Sequence, residues 1–105
     1  MTLKRRSSAR RIGITGVGMH VPSTVLTNFD LEKLVETSDE WIRSRTGIRE
    51  RRVAAPGTSC SELAYKAGVE ALKRARLDPR DLELLIVATT TPDMLFPSTS
   101  CLVQQ

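Results

Sequence analysis

The sequence predicts an α/β layered fold, and three observations carry that expectation. Residues 82–90 form a near-continuous apolar run, Leu-Glu-Leu-Leu-Ile-Val-Ala-Thr-Thr, of the kind that belongs in a sheet covered on both faces. Ala64, Ala67, Gly68, Ala71, Leu72 and Ala75 recur at helical spacing and make one face almost wholly of small residues. Helix-start signals, Ser or Thr followed three positions later by Glu, stand at Thr37 and Ser59. The order of elements reads β, α, α, β, α, β, α.

Residues 12–21 are β-prone and carry glycines at 13, 16 and 18, in the order GxxGxG. Val21-Pro22 follows, an extended segment, where a dinucleotide fingerprint requires a helix to meet the pyrophosphate. Dinucleotide binding is excluded, and the glycines are expected to let neighbouring backbone approach closely. Asn28 is expected to cap a short helical turn over 29–35, with Asp30 and Glu32 near its positive end. Thr37-Ser-Asp-Glu40 reads as a capping box opening a helix through about Arg45, which Gly47 ends. Residues 48–54 alternate weakly and read as extended. Ser59-Cys-Ser-Glu62 opens the small-faced helix, which should sit close against its partner, with Glu62–Lys66 and Glu70–Arg74 pairing on its other side. Asp78-Pro79 gives a brief turn, residues 82–90 a strand, and Pro97-Ser98 the start of a last helix.

At 105 residues the chain is one small domain or a piece of a larger one. Its only aromatics are Trp41, Tyr65, Phe29 and Phe96, so a core must be built from Leu, Val, Ile and Ala. The net charge of +4 is a tail property: Lys4, Arg5, Arg6, Arg10 and Arg11 precede the first apolar run, and without them the remainder stands at −1. Residues 1–11 therefore read as a basic, disordered leader. No aromatic interleaves those charges as a single-strand binder requires, so nucleic acid is not an expected partner. Cys60 and Cys101 lie 41 positions apart with no CxxC and no nearby His, which fits neither a zinc site nor a disulfide framework. Reduced thiols in a cytoplasmic protein are expected. No apolar run approaches the roughly 20 residues of a membrane span, so no membrane role is expected.

The stretch from Thr37 to Arg52 holds the only Trp and five arginines. Trp41 and Arg45 are i,i+4 on one helix face, so an indole and a guanidinium project side by side. Two planes at that spacing can hold a flat heterocycle, with Arg supplying cation–π attraction. On the residues alone, a buried core anchor is the competing use of Trp41. Arg49, Arg51 and Arg52 could meet phosphates but equally suit an exposed strand face, and they are not assigned.

Several motifs then appear in one order: Thr27-Asn28, Asp30-Leu31-Glu32, Thr37-Ser-Asp-Glu-Trp-Ile-x-x-Arg-Thr-Gly-Ile-Arg-Glu-Arg, Leu63-Ala64, Ala88-Thr-Thr-Thr-Pro-Asp and Phe96-Pro-Ser. Over residues 12–105 they closely resemble the opening of β-ketoacyl-acyl-carrier-protein synthase III. The resemblance implies the N-terminal part, truncated, of a thiolase-like ketoacyl synthase domain: the incomplete first half of a layered α/β/α/β/α fold that works as a homodimer. It implies condensation of an acyl group from acyl-coenzyme A with malonyl on acyl carrier protein, through an acyl-cysteine, to start fatty-acid synthesis. A cysteine at a helix N-terminus gains acidity from the dipole, and a His and an Asn stabilise the developing charge.

By the same resemblance none of those three residues is in this chain. Cys101 falls before the nucleophile's place, Cys60 has less claim, and His20 is not where the catalytic His is expected. Trp41 and Arg45 match the residues that hold the adenine of coenzyme A, helped by the Thr46 hydroxyl. Phe96 matches a residue that crosses the dimer to line the partner's acyl pocket, favouring short primers; it could also staple the Ser98 helix. Three readings follow: part of an active condensing enzyme, a non-catalytic remnant that binds coenzyme A or a parent enzyme, or a truncated frame without a stable fold. A starter-unit ketosynthase of a polyketide pathway is the alternative within the family.

Overall fold

The computed structural model describes residues 12–105; the basic leader at 1–11 lies outside them. Strand β1 (Thr24–Thr27) leads directly into helix α1 (Asn28–Glu32), then α2 (Asp39–Thr46) and strand β2 (Glu50–Val53). The long helix α3 (Cys60–Ala75), a 3₁₀ turn (Pro79–Asp81) and helix α4 (Thr99–Gln104) complete the order. β1 and β2 pair antiparallel, from Thr24 opposite Val53 to Thr27 opposite Glu50. Helices α1 and α2 pack together beside this ribbon, and α4 packs on α3.

The helix starts follow short side-chain logic, with two corrections. The cap of α1 is Thr27, one residue before the expected Asn28. Thr27 accepts from the Asp30 amide at 3.2 Å, while the Asp30 carboxylate accepts from the Thr27 amide at 3.1 Å and hydroxyl at 2.6 Å. The cap of α2 is Ser38, not Thr37, because its hydroxyl stands three residues before Trp41 and accepts from that amide at 3.1 Å. Gly47 ends α2 in the left-handed conformation, φ 73°, as expected. Ser59 caps α3, and the Glu62–Lys66 and Glu70–Arg74 pairs form at 2.6 Å and 2.8 Å. Asp78 and Asp81 form a capping box around the 3₁₀ turn.

The Thr27 hydrogen bonds, aided by Lys33, lower the Asp30 carboxyl from 3.8 to about 2. A folded pKa below the unfolded one means that the cap contributes fully above about pH 3.8 and is lost as the pH falls through about 2. NMR titration of the Asp30 carboxyl should therefore give a midpoint near 2, moving towards 3.8 in Thr27→Ala. A wild-type midpoint near 3.8 would contradict the box.

The two longest β-prone runs do not form strands. Residues 12–22 and 82–90 pair with no strand, and the only sheet among the described residues is the β1–β2 ribbon. A strand exists only with a neighbour to take its amides and carbonyls, which apolar composition cannot supply. The small face of α3 explains where residues 12–22 lie. A methyl on Gly16 would strike the Ala71 carbonyl and come 2.8 Å from Ala75 Cβ; one on Gly18 would strike the Ala67 carbonyl and the Ala71 amide. Ala67, Ala71 and Ala75 thus form the close-contact stripe, whereas Gly68 faces open space.

No hydrophobic residue among those described is buried, and Ile12, Ile14, Leu84 and Ile86 lie largely open. The run at 82–90 is covered on one face at most: Leu85, Val87 and Thr89 are half-buried, Leu84, Ile86 and Ala88 exposed. The helices and one two-stranded ribbon are in place, but the layers that would cover residues 82–90 are not among these residues.

Candidate functional site

Helix α2 presents the expected pair. Asp39 and Glu40 occupy its first turn and Arg43 and Arg45 its last, the arrangement that complements the helix dipole. Arg43 is paired with Asp39 at 3.2 Å, one turn away. Arg45 has no carboxylate partner among the described residues; its guanidinium carbon lies 4.9 Å from the centre of the Trp41 ring. Trp41 is 54% exposed, so it is not a core anchor here.

The pair meets, with the guanidinium already over the ring. A planar base between them needs two stacking layers, about 7 Å from plane to plane, and 4.9 Å provides one. Thr46 is also engaged: its hydroxyl donates to the Ile42 carbonyl at 2.7 Å and accepts from the Ile48 amide at 3.1 Å. It can accept one further bond, but donating to a ligand would break its bond to Ile42.

Two open depressions flank the helix. One, about 310 Å³, is lined by Glu36, Thr37, Ser38 and Trp41. The other, about 470 Å³, is lined by Asp39, Glu40, Arg43, Ser44, Gly47 and Arg49. The Asp39 carboxyl is held below its usual range, chiefly by the hydrogen bond from Asn28 and then by Arg43, with Arg49 adding charge.

Asn28 is the residue beside this helix whose contacts sequence reasoning missed. Its side chain is the one fully buried side chain among the described residues. Nδ2 donates to Asp39 Oδ1 and to the Ile48 carbonyl, each at 2.8 Å, while Oδ1 accepts from the Arg51 guanidinium at 2.7 Å. The signal that would have freed Asn28 from a capping role is the Thr27-x-x-Asp30 box immediately around it.

Phe96 is 88% exposed, so it does not staple α4; it precedes a cis peptide bond to Pro97. In sequence it follows the α2 pair by some fifty residues, just before α4. Cys101 is exposed, with Sγ 3.2 Å from Ser98 Oγ, and Cys60 Sγ donates to Thr89 Oγ1 at 3.5 Å. The Asp93 carboxylate accepts from the Ser61 amide at 3.0 Å and 3.3 Å, pinning the Pro92-Asp93 loop to the start of α3. His20 is exposed at the end of the unpaired segment. Among the described residues no cluster of His, Cys, Asp or Glu could hold a metal ion, and no helix is long and apolar enough to cross a membrane.

The chain is 58% identical over 94 residues to a β-ketoacyl-[acyl-carrier-protein] synthase III of Desulfitobacterium hafniense (strain DSM 10664 / DCB-2), covering 90% of this chain and 28% of that protein. It is 60% identical over 92 residues to the synthase III of Caldanaerobacter subterraneus subsp. tengcongensis, covering 88% of this chain and 28% of the relative. Over these residues the segment is similar to the β-ketoacyl-acyl-carrier-protein synthase III family. The crystal structure of the Aquifex aeolicus VF5 synthase III matches 87% of this chain and 29% of its own, with TM-score 0.81 and 57% identity, so the segment has the thiolase-like fold of that family. The priming β-ketosynthase of the R1128 polyketide pathway also matches, with TM-score 0.81 and 32% identity over 87% of this chain and 27% of its own. No family model matches the chain. The chain spans under a third of the length of the curated relatives it matches.

Proposed function

We propose that this chain supplies the adenine-facing side of a coenzyme A thioester site in a β-ketoacyl-acyl-carrier-protein synthase III. The observation that carries the reading is an exposed indole with a guanidinium over it that has no carboxylate partner among the described residues, on a helix fixed at both ends. To admit adenine between the planes, Arg45 leaves the ring, forfeiting roughly 0.5–1 kcal/mol of exposed cation–π attraction. Base stacking returns roughly 1–3 kcal/mol. The exchange is favourable, and the closed pair is the resting form of an adenine clamp.

In this reading the acyl-coenzyme A gives its acyl group to a cysteine outside these residues and leaves as free coenzyme A. Malonyl-acyl-carrier protein then loses carbon dioxide, and the carbanion so formed takes the acyl group and frees the cysteine thiolate. Phe96, exposed on its loop, reaches a second copy and limits its acyl pocket to short primers. The likeness to a priming ketosynthase supports a second reading, selection of a starter unit for polyketide synthesis. Comparing acetyl with longer and branched acyl-coenzyme A primers separates the two.

Coenzyme A should quench Trp41 fluorescence in the folded chain, whereas pantetheine, which lacks the base, should not. Equal responses, or none to coenzyme A, would remove the adenine clamp. The 105 residues alone should give no condensation of acetyl-coenzyme A with malonyl-acyl-carrier protein. Turnover abolished by Cys101→Ala would instead make Cys101 the nucleophile.

A further inference from the structure

We infer that Asn28 is the positioning residue of the α2 site, acting on the ligand only through the helix it holds. This rests on the adenine-clamp reading for its ligand and on the hydrogen bonds around Asn28 for its cause. Asn28 stands at the junction of β1 and α1, and the two protons of its side-chain amide go to the start of α2 and to the residue just past its end. One goes to Asp39, the first residue of that helix; the other goes to the carbonyl of Ile48, just past Gly47. Those two contacts bracket Trp41, Arg45 and Thr46.

The remaining polar groups tie the bracket to the ribbon. Oδ1 takes the Arg51 guanidinium, which also donates to the Leu26 carbonyl at 3.3 Å, and the Asn28 backbone N–H donates to the Arg49 carbonyl at 3.2 Å. A residue that used only one of these bonds would leave α2 free to pivot about its other end. With two donors and an acceptor in one rigid amide, Asn28 sets the helix's position and tilt together. Glu32 adds a tether from α1, accepting from the Asp39 amide at 2.6 Å. The acid at 39 cannot be replaced by the one at 32, because Asn28 needs an acceptor at the helix start itself.

The test uses the full chain, with coenzyme A as ligand and Trp41 as reporter. Asn28→Ala and Asn28→Asp should each weaken coenzyme A binding about tenfold, the effect of losing a buried hydrogen-bond partner. Combining Asn28→Asp with Asp39→Asn restores the pair at the helix start in reverse and should recover part of that loss, the Ile48 carbonyl still lacking its donor. Thr27→Ala, which breaks the neighbouring α1 cap, should lower the unfolding midpoint while leaving affinity unchanged. Affinity that merely follows stability across all four variants, or a double variant no better than Asn28→Asp, would overturn the assignment. If wild type does not bind coenzyme A, the clamp reading fails; Asn28 is then judged by Trp41 emission and by hydrogen exchange over residues 39–48. Both should change in Asn28→Ala and not in Thr27→Ala, and no change in either would overturn the positioning role. A wild-type chain without helical circular dichroism would overturn it as well.

Discussion

Gly18→Ala is expected to cost about 3 kcal/mol, the upper part of the usual range for overpacking. The added methyl would meet the Ala67 carbonyl and the Ala71 amide, both backbone atoms of α3, so no side chain can rotate away. Relief requires residues 12–22 to separate from the helix, which would expose the alanine stripe. Gly16→Ala should cost somewhat less, since two of its three obstacles, the Ala75 methyl and amide, lie farther off, at 2.8 Å and 2.9 Å. Two other glycines serve as controls. Gly13 has nothing within 4 Å, and Gly68 faces open space inside α3. Gly68→Ala should therefore stabilise the chain by roughly 0.5–1 kcal/mol through helix propensity. Urea unfolding midpoints of the four variants check the order. Gly18→Ala within about 0.5 kcal/mol of Gly13→Ala, the usual size of a neutral surface change, would refute the close approach.

Trp41→Ala should weaken coenzyme A binding about 10- to 100-fold, the equivalent of one lost base-stacking contact. Arg45→Ala should cost less, because part of the guanidinium's attraction is already spent on the indole in the resting chain. Arg45→Lys should fall between wild type and alanine: it keeps the charge but has no plane to lay against a base. Isothermal titration with the three variants measures the ranking. If Arg45→Ala proves far worse than Trp41→Ala, the site holds phosphate by charge and the stacking account fails.

These residues also show what the sequence made legible. The Trp41–Arg45 face could be read from i,i+4 spacing, since helix geometry places such pairs together. The seating of the guanidinium over the ring could not, because it depends on side-chain torsions that spacing leaves open. The small face of α3 pointed correctly to a close partner, but only the packed backbone shows that Ala67, Ala71 and Ala75 make the approach while Gly68 does not. Residues 82–90 have the composition of a covered strand and lack one here, because pairing belongs to the neighbour as much as to the sequence. Asn28 was the deepest miss. A capping preference is local, whereas its actual partners stand 11, 20 and 23 positions away.

Those separations have a consequence for how the chain acquires its shape. Every bond of the Asn28 junction closes a loop of no more than 23 residues, and β1–β2 pairing spans Thr24 to Val53. Bringing Gly18 against Ala71 requires a much longer closure across α1, α2 and β2. Loop entropy rises with length and slow formation follows distant contacts. The unit from Thr24 to Val53 is therefore expected to assemble early, with residues 12–22 docking on α3 afterwards. Substitutions at Asn28 should then slow refolding, while Gly18→Ala should act mainly by speeding unfolding. The helix that carries Trp41 and Arg45 would be in place before the extended segment finds its groove.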